Sequence, residues 1–116
     1  MKEQFENLIS LSDNAIFIKM GLELIESLGA REFDEDDLSN EGKSWFRKKS
    51  IDFKTKICKD SNIKKVIVSD DLEKDLELFS IITELLKPEL TSYPLVLLAG
   101  IMIVKKGLLN FCLGYE

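Results

Sequence analysis

Pro94-Leu95-Val96-Leu97-Leu98-Ala99-Gly100-Ile101-Met102-Ile103-Val104 is the stretch on which the fold turns. It carries no charge until Lys105-Lys106 closes it. Pro94 suits the first turn of a helix, with Ser92 or Tyr93 before it, and the helix should run to about Lys106 or Cys112. A helix that is apolar all round must be enclosed, either by amphipathic helices of its own chain or in part by a second copy. A membrane span would need about 20 apolar residues. Extending the run to Leu113 would put both lysines near the bilayer centre, at roughly 2.5–3.5 kcal/mol each on insertion scales. The stretch therefore reads as the core helix of a protein in water, away from membranes.

Upstream, Leu72, Leu76, Phe79, Ile82 and Leu86 recur at steps of three and four, and Leu78, Ile81 and Leu85 widen the face. Glu73, Glu77, Glu84 and Lys87 fall opposite, Ser69 stands where a cap belongs, and Pro88 ends the helix. At the N-terminus a short helix to Ser10 or Leu11 and a longer one from about Asp13 to Leu28 are expected, separated by the cap-forming Ser12-Asp13-Asn14 and closed by Gly29. A further helix is expected from Ser39 to about Lys59. Phe46, Phe53 and Ile57 form its main apolar stripe, and Ile51 with Cys58 a second, so the helix should be gripped on two sides. Ile63 to Val68 is short and β-branched and reads locally as a strand, but no partner strand is evident.

These elements define a mainly α fold: a compact bundle of four to five helices around the central apolar C-terminal helix, with at most one short strand at 63–68. An α+β dimer sharing a two-stranded ribbon is the alternative. At 116 residues, with 45% hydrophobic and 32% charged residues and no linker-like segment, the chain reads as a single domain over 1–116. The polar, acidic N-terminal residues do not resemble a secretory signal, so a cytoplasmic protein is expected. Cys58 and Cys112 lie 54 positions apart with no CxxC spacing. Both are expected to be buried, reduced thiols acting as small hydrophobes.

Chemistry is sparse. The absence of histidine removes the commonest general base, the Ser-His and Cys-His nucleophile pairs and the imidazole zinc sites. The glycines never assemble into a phosphate-binding loop. Five acidic residues fall among the six from Glu32 to Asp37, a run read as a solvated loop. It fails as a calcium loop, because Leu38, Ser39 and Trp45 occupy its fifth, sixth and twelfth positions counted from Asp34. Neither a cofactor nor a resident metal is expected, and an enzyme is the least favoured reading.

Charge segregation is the informative feature. Residues 43–65 hold nine basic side chains against Asp52 and Asp60, a net charge of +7 within a chain whose total is -5. On a helical wheel Lys43, Arg47 and Lys54 fall on one side, while Lys48, Lys49, Lys56 and Lys59 fall on nearly the other. The candidate interaction residues are Lys43, Trp45, Arg47, Lys48, Lys49, Lys54 and Lys56. The expected function is a small non-enzymatic interaction module, a helical adaptor or regulatory subunit with a protein partner or as a homodimer. Its basic segment would meet an acidic surface, on a partner or on the Glu32 to Asp37 run of another copy. Nucleic-acid binding through residues 43–65 is the alternative, since aromatics interleaved with basic residues suit single strands.

Overall fold

Three of the helices start where a side chain satisfies a free backbone amide. The computed structural model describes residues 2–26, 34–63, 74–90 and 92–113. Its α-helices are α1 (Lys2–Ile9), α2 (Asp13–Glu26), α3 (Glu35–Ile57), α4 (Lys74–Leu86), α5 (Tyr93–Lys106) and α6 (Leu108–Phe111), with a 3₁₀ turn at Lys87–Glu89 between α4 and α5. Ser12 divides α1 from α2, its hydroxyl accepting from the Ala15 amide at 3.1 Å. Ser92 caps α5 by accepting from Leu95 N at 3.4 Å. The protein is a mainly α bundle, and no described residue is in a strand.

The quoted apolar stretch is the centre of the molecule. Nine residues of α5, Leu95, Val96 and the unbroken run from Leu98 to Val104, are buried. Helices α1, α2, α4 and α6 all pack against it. Helix α4 turns Leu78, Phe79, Ile82 and Leu86 inward and leaves Glu77 and Glu84 outside, as its periodicity predicts. Gly100 is where α4 comes closest: a Cβ there would lie 3.1 Å from the Thr83 methyl and 3.3 Å from the Phe79 ring. Among the described residues no helix is long and apolar enough to cross a membrane.

Four expectations are corrected. Helix α3 starts at Glu35, four residues before Ser39, because the Asp34 carboxylate accepts from the Asp37 amide at 2.8 Å. The last part of the acidic run is therefore the first turn of a helix, where carboxylates meet the positive end of the helix dipole. Ile63 is helical, because Asp60 Oδ1 accepts from the amides of Asn62 and Ile63 at 2.9 and 3.1 Å and opens a helical turn at Ser61. The rest of the expected strand, residues 64–68, lies outside the described residues, as do Gly29, Ser69 and Leu72. Ile51 is 73% exposed, so α3 buries Phe46, Phe53 and Ile57 but is not gripped along the Ile51 side. Cys58 and Cys112 are joined as a disulfide with Cα atoms 5.7 Å apart, not held as free thiols. The short sixth helix after Gly107 brings Cys112 back to the end of α3.

Candidate functional site

Helix α3 owes its amphipathic character to the spacing of its apolar residues. Four inward aromatic and aliphatic residues, Leu38, Phe46, Phe53 and Ile57, hold it down, and its cationic residues fall on its two flanks. The structure separates those flanks. Lys43, Arg47 and Lys54 line one groove of about 500 Å³, together with Ser50 and Ile51 of α3, Asp13 and Phe17 of α2, Met102 and Lys106 of α5, and Phe111 of α6.

The floor is a row of rings. Phe46 sits at its middle, 6.2 Å from Phe17 on one side and 6.5 Å from Phe111 on the other, centroid to centroid. Phe46 and Phe111 are 7% and 2% exposed, so their edges contribute apolar surface without lifting out of the core. The cations stand over this floor. Lys43 Nζ lies 5.9 Å from the Phe17 centroid and Lys54 Nζ 5.5 Å from the Phe111 centroid, both within cation–π range.

Asp13, the one carboxylate among the described residues of the groove, has Lys105 beside one of its oxygens. Lys105 Nζ sits 3.6 Å from Asp13 Oδ1 and donates to the Leu11 carbonyl at 2.7 Å, which pins the α1–α2 junction to the end of α5. Its neighbour Lys106 turns toward the groove instead. Among the described residues no carboxylate forms an ion pair with Lys43, Arg47, Lys54 or Lys106. The Ser50 hydroxyl donates to the Phe46 carbonyl at 2.6 Å and keeps only its acceptor capacity. The site is thus four cations above an apolar bed, with little neutral hydrogen-bonding capacity.

The opposite flank of α3 is built differently. Trp45 is half-buried, packed edge-on against Phe53 at 6.1 Å, and shares a shallow depression with Lys49, Glu23, Glu89 and Leu90. Lys56 pairs with Glu89 at 3.2 Å, and Lys48 is exposed and lines neither hollow. Of the seven expected interaction residues, the structure gathers Lys43, Arg47 and Lys54 into one site and leaves Trp45, Lys48, Lys49 and Lys56 out of it. Sequence reading missed Phe17, Met102, Lys106 and Phe111, which only the tertiary fold brings to α3.

Elsewhere, Lys87 Nζ donates to Glu84 Oε1 at 2.7 Å, a hydrogen bond that holds the lysine above its ordinary pKa. Among the described residues no three His, Cys, Asp or Glu side chains converge as a metal site requires. Compared with family models, with curated proteins and with solved structures, the chain matches none of them.

Proposed function

We propose that the protein is a non-enzymatic protein-interaction module whose basic groove receives an acidic segment of a partner protein. The observation that carries this is the set of four cations that have no carboxylate partner among the described residues and stand over apolar surface. Exposed ion pairs contribute only about 0.2–1 kcal/mol each, so charge alone would hold a partner weakly. The outward Ile51, 73% exposed, supplies apolar surface for a partner to cover, to which the nearly buried Phe46 and Phe111 add only their edges. Charge then steers the encounter and selects the partner's sign.

Nucleic acid is the less favoured occupant. Single strands gain from bases stacked on open aromatic faces, whereas here Phe46 and Phe111 are buried to their edges and Trp45 faces the other flank. The basic residues also divide between two flanks, and Lys56 is neutralised by Glu89. The Cys58–Cys112 disulfide is a bond that persists in oxidising compartments, and it counts against the expected cytoplasmic location.

The test is binding, by fluorescence anisotropy at low salt, of a labelled random copolymer of Glu, Ala, Leu and Phe and of a 12-nucleotide single-stranded DNA. The copolymer should bind more tightly, and Lys43→Glu/Arg47→Glu/Lys54→Glu should abolish its binding while Lys48→Glu/Lys49→Glu leaves it within twofold. Tighter DNA binding, or equal loss from both charge reversals, would overturn the proposal.

A further inference from the structure

We infer that the segment the groove takes is an acidic amphipathic helix, an inference that rests on the interaction reading above and specifies the partner's conformation. Its first support is the spacing of the cations. Lys43, Arg47 and Lys54 stand one and then about two turns apart on α3, so at 1.5 Å per residue they span about 16 Å of one helix side. A second helix laid along α3 presents side chains at the same interval, and carboxylates at positions i, i+4 and i+11 would each meet a cation.

The second support is what the groove lacks. A peptide's backbone amides need acceptors wherever they leave water. The lining offers phenyl edges, a methionine, an isoleucine and cationic side chains, and its side-chain acceptors are the Asp13 carboxylate and the Ser50 hydroxyl, too few to serve the successive amides of an extended chain. The backbone of α3 is paired within its own helix, and no described residue forms a strand edge onto which an extended peptide could add. An extended occupant would leave amides without partners over the apolar floor. A helical one satisfies its own backbone and turns only side chains downward.

The third support is the apolar complement. Ile51 stands 73% exposed beside the row of Phe17, Phe46 and Phe111, which fits an occupant carrying large apolar residues one turn apart between its carboxylates. The chain's own acidic helix end does not have that pattern. Asp34 to Asp37 are exposed, but the apolar residue that follows them, Leu38, is buried against α2, so the occupant is a different protein.

The probe is a synthetic peptide of 18 residues with Glu at i, i+4 and i+11 and with Leu and Phe one turn apart on the same face. One control carries two central prolines and a second has the apolar pair changed to Ala. The designed peptide should bind at least tenfold more tightly than either control and gain helical circular dichroism on binding. Ile51→Ser, a change at an exposed position that leaves the fold undisturbed, should weaken it several-fold. Equal affinity for the proline control would sink the helical inference while leaving the acidic-segment reading intact. Failure of all three peptides and of the acidic copolymer, with the protein still folded by circular dichroism, would remove both.

Discussion

Two glycines hold α2 against α3 more tightly than any side chain could. A Cβ on Gly21 would fall on the Leu38 carbonyl oxygen, and one on Gly42 would fall on the Phe17 carbonyl oxygen. Both neighbours are helix backbone, so neither can rotate away as a flexible side chain would. Substituting alanine ordinarily favours a helix by 0.5–1 kcal/mol, roughly the penalty glycine carries there. Here the clash must win, and Gly21→Ala or Gly42→Ala should destabilise the protein by about 1–3 kcal/mol, read from urea denaturation. Gly42→Ala should also disturb the groove, because Phe17 supplies part of its floor. Unchanged stability in both variants would show that α2 and α3 stand further apart than described. Neither contact was legible in the sequence, since a lone glycine inside a helical pattern does not say which backbone approaches it.

Helix α3 shows at the scale of the element what sequence can and cannot reveal. Its apolar stripe, Phe46, Phe53 and Ile57, and the division of its cations into two sets both follow from 3.6 residues per turn, and both are present. The unbroken apolar run placed α5 at the centre and periodicity gave the inward face of α4, because burial there is decided by the local pattern of residues. What it could not supply was the far wall of the groove, since Phe17, Met102, Lys106 and Phe111 come from three other helices. The start of α3 failed for a local reason: Ser39 looked like a cap, but Asp34 captures the Asp37 amide first and the acidic run joins the helix. Asp34→Ala should therefore cost about 0.5–2 kcal/mol, with Asp34→Asn restoring most of it. Faster amide exchange at residues 36–38 in the alanine variant would locate the loss at this end. Equal exchange in all three proteins would return the start of the helix to Ser39.

At the scale of the whole molecule, the Cys58–Cys112 bond links stability to the groove. It closes a loop over 54 positions, joining the end of α3 to the residue after α6. Helix α6 is only four residues long and follows Gly107, whose φ of 90° is a conformation that other residues adopt only with strain. So short a helix has no stability of its own and is kept in place by burial of Leu108 and Phe111 and by the disulfide. Phe111 is also the end of the groove's floor, beneath Lys54. A dithiol reductant would take up the disulfide by thiol–disulfide exchange, leaving two cysteine thiols and its own oxidised disulfide. The loop constraint then disappears, at a cost of about 2–4 kcal/mol and a melting temperature lower by roughly 8–16 °C. The loosening should be local, with amide exchange at residues 108–113 rising well before that of α5. Affinity for an acidic helical peptide should fall several-fold, because one of three rings in the floor is no longer fixed. Cys112→Ser should reproduce all three effects without reductant and become insensitive to it. If the reduced protein kept both its stability and its protection at 108–113, packing of Leu108 and Phe111 alone would account for the position of α6, and the bond would have no hold on the groove.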